Sequence, residues 1–224
     1  MSSIKYMVLI CMGIYILGCG SNNTKDIPAE TTTKPLHIAC VGDSITEGTG
    51  LKNPSIESYP AQLATLVAKD IVVKNFGTKG TTALKSADHP YWLSQNYQYS
   101  HSYQPDIVII MLGTNDAKDK NWKNKNAFIS DYVALIKSYQ KLASNPTIYV
   151  CFPPPVYANI AGISDDRIRN DVIPKIKEIA TKSNVETIDI YTLLNHKEAL
   201  FPDKIHPNAK GAKQMAQAIY GVIY

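Results

Sequence analysis

Four apolar runs recur along the chain, at His37 to Val41, Ile71 to Phe76, Asp106 to Leu112 and Thr147 to Phe152, with a weaker fifth at Glu186 to Ile190. The stretch Val108-Ile109-Ile110-Met111-Leu112 is apolar at every position rather than at alternate ones, the mark of a strand covered on both faces. Between the runs lie segments with apolar residues three and four apart, Tyr59 to Lys69, Asn126 to Leu142 and Asp165 to Ser183, which predict helices. A last helix is expected over Asn208 to Ile223, with Pro207 at or near its first turn, where a missing N–H is harmless. Strand and helix alternate throughout, which predicts an α/β fold: a three-layer α/β/α sandwich around a five-stranded parallel sheet, with right-handed crossovers. In such sheets ligands bind beyond the carboxyl ends of the strands.

Polar residues gather at those ends. After the first strand comes Gly42-Asp43-Ser44-Ile45-Thr46-Glu47-Gly48, after the second Asn75-Phe76-Gly77-Thr78-Lys79-Gly80, and after the third Gly113-Thr114-Asn115-Asp116. A fourth cluster, Asp203-Lys204-Ile205-His206-Pro207, precedes the final helix. A serine is a poor nucleophile until a base takes its proton and a third group orients that base. Ser44 stands where a strand turns sharply, and His206 with Asp203 supplies base and orienter from one short turn. Attack on an ester carbonyl creates an oxyanion that needs donors fixed in advance, and the backbone N–H groups of Ser44 and Gly77 and the side-chain amide of Asn115 are the candidates. Asp43, Gly80 and Asp116 read as supporting residues that fix the rim loops. A phosphate cradle is disfavoured, because neither GxxxxGK[ST] nor GxGxxG follows the first strand.

These blocks resemble those of the SGNH hydrolases, the GDSL esterase/lipase superfamily: Gly42-Asp43-Ser44 with Gly48, Asn75 with Gly77 and Gly80, Gly113-Thr114-Asn115-Asp116, and Asp203 with His206, in order over residues 36 to 222. The resemblance implies the flavodoxin-like SGNH hydrolase fold, Ser44 as nucleophile, Gly77 and Asn115 as completing the oxyanion hole, His206 as general base, Asp203 as its orienter, and no metal or organic cofactor. Thr78-Lys79 stands where a serine is often found between the two glycines of the second block. The stretches His89-Pro90-Tyr91-Trp92, Asn121-Trp122 and Phe201-Pro202-Asp203 are most similar to those of secreted bacterial carbohydrate O-acetylesterases of the sialate O-acetylesterase and acetylxylan esterase type. That likeness implies hydrolysis of acetyl esters on an acetylated glycan.

Residues 89 to 103 support a sugar ligand independently, since their aromatics are interspersed with Ser, Gln, Asn and His rather than with the aliphatics of an acyl-chain tunnel. Tyr91, Trp92 and Trp122 are the candidate substrate platforms. A lipase, lysophospholipase or thioesterase on the same residues, and a glycan-binding lipoprotein without turnover, remain as alternatives.

Composition narrows the picture further. Of 224 residues, 45% are apolar and 19% charged, which excludes a disordered chain. The net charge of +4, from 23 basic and 19 acidic residues in no long like-charged run, argues against nucleic acid as a partner. Lys5 is followed by 12 uncharged residues, Tyr6 to Leu17, too few to span a bilayer and typical of a signal peptide. The ending Ile16-Leu17-Gly18-Cys19 resembles a bacterial lipobox, which implies cleavage after residue 18, lipidation of Cys19, a flexible tether over 19 to 34 and a folded domain over 35 to 224. The protein is then expected to be lipid-anchored in the membrane at the bacterial cell envelope, on the periplasmic or outer surface. Of the four cysteines only Cys40 and Cys151 fall in the domain, both inside strand runs, where two free buried thiols are expected and no metal cluster forms.

Overall fold

A computed structural model describes residues 35–224. The expected leader, Cys19 and the tether lie outside the described residues. The five strands are β1 (Leu36–Gly42), β2 (Ile71–Gly77), β3 (Ile107–Met111), β4 (Thr147–Cys151) and β5 (Glu186–Ile188). They pair in parallel in the order β2-β1-β3-β4-β5. That order reverses direction at β1, so the crevice outside the carboxyl ends of β1 and β3 is where a ligand fits.

The unbroken apolar character of β1 and β3 follows from two cores, one on each face. Ala39, Val41, Val108 and Ile110 pack on one side with helices Phe128–Gln140 and Ile173–Ser183. Ile38, Cys40, Ile109 and Met111 pack on the other with helices Tyr59–Ala64 and Ala209–Ile223. Cys40 and Cys151 are free and buried as expected, and burial pushes both thiols well above the ordinary range.

Several boundaries differ from the expected ones for local reasons. Helix Tyr59–Ala64 stops five residues short of Lys69, where Thr65 and Val67 bring β-branched side chains of lower helix propensity. The segment 165–183 is not one regular helix, because Ile168–Val172 widens into π geometry. Pro174 follows directly; it lacks the N–H that would reach back one turn, and its ring crowds the carbonyl four residues earlier, a clash the wider turn relieves. β5 ends at Ile188 rather than Ile190, because Asp189 caps the helix Ile190–Leu194, accepting the Thr192 N–H at 2.8 Å. In the final helix the cap is Asn208, whose Oδ1 accepts the N–H groups of Lys210 (3.0 Å) and Gly211 (3.1 Å). Pro207 lies just outside the first turn and packs on Gly211, where a Cβ would come within 2.9 Å of the proline ring.

Candidate active site

β1 delivers its last residues into a turn so tight that a side chain at Gly42 would lie 2.1 Å from Thr46 Oγ1 and 2.5 Å from the Met111 carbonyl. Asp43 then caps the helix Ser44–Glu47, its Oδ1 accepting the Ile45 N–H at 2.9 Å, and Gly48 closes that helix in the left-handed region at φ 97°. Ser44 therefore begins the helix at the mouth of the crevice.

His206 reaches it from 162 residues away, with Asp203 on the same turn. Asp203 Oδ1 accepts the N–H groups of Ile205 (3.0 Å) and His206 (2.7 Å), which folds the segment into a turn helped by Lys204 at φ 70°. Its Oδ2 lies 2.6 Å from His206 Nδ1, and His206 Nε2 lies 2.9 Å from Ser44 Oγ. Partial burial raises the Asp203 carboxyl, but the bonds from His206 and Ile205 outweigh it and hold the group below the usual carboxylate range. An ionised Asp203 accepts the hydrogen bond from Nδ1–H and so keeps the proton on that nitrogen, which leaves the Nε2 lone pair for the Ser44 hydroxyl.

Asn115 stands at the end of β3, with Nδ2 3.2 Å from Asp43 Oδ2 and 3.2 Å from the Thr81 carbonyl. Its amide is thus pinned between the blocks after β1 and β2. The two glycines of the second block do different work. Gly77 N–H donates to Asn75 Oδ1 at 2.9 Å, and a Cβ there would meet Glu47 N at 2.2 Å, so this glycine lets β2 press against the serine helix. Gly80, at φ 79°, turns the chain beside His89, and among the described residues neither its N–H nor that of Ser44 has a hydrogen-bond partner. The available backbone donor is at Gly80 rather than at the expected Gly77, because Asn75 already occupies Gly77.

Asp43 and Asp116 are both buried. Burial, with the neighbouring Asp116 charge, pushes Asp43 up to about 7 against the bonds from Ile45 and Asn115. Burial likewise pushes Asp116 up to about 6, although it accepts the N–H groups of Leu84 (2.9 Å) and Ala83 (3.1 Å). Both carboxyls hold protons more tightly in the folded chain than in the unfolded one, so their contribution to stability falls as pH rises from about 4 to about 7. Asp43→Asn keeps a capping oxygen and removes one of these groups. Its melting temperature should therefore lose less than that of the wild type over this interval, as thermal melts at stepped pH would show; equal slopes would count against a raised Asp43.

A further polar residue behind the site is Asn121. It is buried, and its Nδ2 donates to the Asn115 carbonyl (2.9 Å) and to Asp88 Oδ1 (2.7 Å), tying the Asn115 turn to the loop that carries His89. Only its place beside Trp122 in the resembling stretch pointed to it.

Burial corrects two of the three aromatic platforms, Tyr91 and Trp122. Tyr91 is 0% exposed and its hydroxyl donates to the Phe76 carbonyl. Trp122 is 6% exposed, stacks edge-on to Phe128 and donates to Asp171 Oδ2. Trp92 is half-buried, donates to the Ala83 carbonyl and carries Lys85 over its ring. These rings hold the long loops on the core, and composition alone does not distinguish that from a ligand platform.

Residues 40–214 match the GDSL-like Lipase/Acylhydrolase family. An acetylxylan esterase from Xylanibacter ruminicola is 34% identical over 220 residues, covering 90% of this chain. The chain spans 46% of that relative's length. Among solved structures, Est24, a carbohydrate acetylesterase from Sinorhizobium meliloti, superposes with a TM-score of 0.69 at 19% identity, over 84% of this chain and 98% of that one. A putative arylesterase from Agrobacterium tumefaciens gives 0.67 at 21% identity over the same shares. At these identities the structural likeness speaks for the fold.

Proposed function

Because the chain belongs to the GDSL-like lipase/acylhydrolase family, we propose that it is a serine esterase that removes acetyl groups from carbohydrate hydroxyls. The observation that carries this reading is the continuous hydrogen-bonded line Asp203 Oδ2, His206 Nδ1, His206 Nε2, Ser44 Oγ, at 2.6 and 2.9 Å. The acetyl preference draws on the acetylxylan esterase relative.

In this mechanism Ser44 Oγ attacks the acetyl carbonyl carbon while its proton passes to His206 Nε2. Asp203 stabilises the imidazolium that forms. The N–H groups of Ser44 and Gly80 receive the oxyanion, and the Asn115 amide joins them by giving up one of its long 3.2 Å resting bonds, to Asp43 Oδ2 or the Thr81 carbonyl, whereas the Gly77 N–H is held at 2.9 Å by Asn75. The bond from the acetyl carbon to the sugar oxygen then breaks, and that oxygen takes the proton from Nε2. A water next attacks the acetyl-serine, giving its proton to His206; acetate leaves and Ser44 recovers its hydrogen.

Acyl-chain profiling tests this reading. On p-nitrophenyl esters, kcat/KM is expected to fall by about 10-fold or more from acetate to butyrate, since each unaccommodated methylene contributes on the order of 1 kcal/mol, and acetate should be released from acetylated xylan. Equal rates on acetate and octanoate would turn the assignment toward a lipase.

A further inference from the structure

The segment after β4, residues 152 to 164, bridges the two loops that hold His206 and Asn115. On one side the Tyr157 N–H donates to the Lys204 carbonyl at 2.8 Å, within the turn that carries Asp203 and His206. On the other side the Asp119 N–H donates to the Gly162 carbonyl at 3.0 Å, and Ile163 bridges to Lys118, three residues beyond Asn115. Arg167 reinforces this side, pairing with Asp119 at 2.7 Å and donating to the Ala117 carbonyl. Between these attachments Ala161 (φ 56°) and Gly162 (φ 75°) turn the chain back on itself. A groove of about 470 Å³ opens along the segment, lined by Tyr157, Asn159, Ser164, Asp165 and Asp166 among others.

The polar groups in this groove divide into two kinds. Asp165 is fully engaged, its Oδ1 accepting the Val156 N–H (3.1 Å) and its Oδ2 the Tyr191 hydroxyl (2.8 Å), and Asp166 pairs with Arg169. They fix the wall. By contrast, the Asn159 amide is exposed, and the Ser164 hydroxyl, at the start of the helix Asp165–Arg167, makes no capping bond. The Tyr157 ring packs on Phe201 and its hydroxyl donates to the Leu194 carbonyl, so it forms part of the wall, and the amide and hydroxyl groups along it are what a hydroxyl-rich, uncharged ligand requires.

The sheet order says which part of a substrate lies there. Along the rim stand Gly80 after β2, Ser44 after β1, Asn115 after β3, this segment after β4 and the His206 turn after β5. Oxyanion donors occupy the β2, β1 and β3 positions. The sugar oxygen must come within hydrogen-bonding reach of His206 Nε2 to collect its proton, so the alcohol half of the ester extends toward β4 and β5. We propose that the groove is a subsite for the sugar residues neighbouring the acetylated one, with Asn159 and Ser164 bonding their hydroxyls and thereby favouring an oligosaccharide over an isolated sugar ester. This inference rests on the carbohydrate acetylesterase reading above.

The test compares the wild type, Asn159→Ala, Ser164→Ala and the double variant on p-nitrophenyl acetate, a singly acetylated monosaccharide and acetylated xylo-oligosaccharides of increasing length. The wild type is expected to gain in kcat/KM with length. Each single variant should raise KM on the longest oligosaccharide about 3- to 10-fold, the value of one or two neutral hydrogen bonds, with p-nitrophenyl acetate unchanged. Wild-type rates independent of length, or variants that alter all substrates alike or none, overturn the subsite while leaving the esterase reading standing. Turnover of p-nitrophenyl acetate without any acetylated sugar would overturn the carbohydrate reading and the subsite together.

Discussion

Ser44→Ala is expected to lower kcat on p-nitrophenyl acetate by about 10⁴- to 10⁶-fold while KM and the melting temperature stay near wild-type values. The size follows from the role: without Oγ no acetyl-enzyme forms, and what survives is direct attack by water assisted by the oxyanion donors alone. The separation from folding follows from the contacts. Oγ meets only His206 Nε2 at 2.9 Å, while the helix that presents Ser44 is held by the Asp43 cap, by Gly48 and by the close approach at Gly42, none of which uses the hydroxyl. Alanine is also a good helix former at that position. His206→Ala should reach a similar floor, and the double variant should lose little more, because two residues that act on one proton are not additive. Initial rates beside circular-dichroism melts decide the point. A Ser44→Ala protein with more than about a hundredth of wild-type turnover would remove the serine mechanism.

What was legible in the sequence and what was not divide along physical lines. A strand buried on both faces needs an apolar side chain at every position, so Val108 to Leu112 announced β3 and, with β1, a sheet between two cores. The blocks carrying Ser44, Asn115, Asp203 and His206 could be placed because each follows a recognisable element, and a chain of parallel strands brings their carboxyl ends together whatever the loops do. Which glycine keeps an unpartnered N–H could not be read that way. Gly77 and Gly80 have equal standing as letters, and the difference between them is that Asn75, two residues before Gly77, turns its Oδ1 onto that N–H. Satisfaction of a donor is a three-dimensional property. The same holds for Tyr91 and Trp122: an aromatic residue with a polar handle looks alike whether its handle meets a sugar or the carbonyl of Phe76 and the carboxylate of Asp171. The π turn before Pro174 was hidden because helical periodicity is read over side chains, whereas the clash is in the backbone.

Asn115→Ala is the second large effect, and its form differs from the first. Removing one oxyanion donor should lower kcat by about 10²- to 10³-fold, near 3–4 kcal/mol of transition-state stabilisation, with KM little changed because the amide turns from its resting bonds only as charge develops on the carbonyl oxygen. A second signature comes from the resting contacts. The Asn115 amide donates to Asp43 Oδ2, one of the bonds that draws the Asp43 carboxyl down against its burial. Without it that carboxyl is raised further. A folded-state carboxyl raised further above its unfolded value binds protons over a wider interval, so the variant should lose stability with rising pH beyond the point at which the wild type levels off. Asn115→Asp tests the two roles separately, since a carboxylate offers no donor to an oxyanion and sets a third acid beside buried Asp43 and Asp116. It should match the alanine variant in kcat and, through like-charge repulsion, steepen the decline of melting temperature with pH. An Asn115→Ala protein with wild-type kcat would leave the oxyanion to the N–H groups of Ser44 and Gly80 alone.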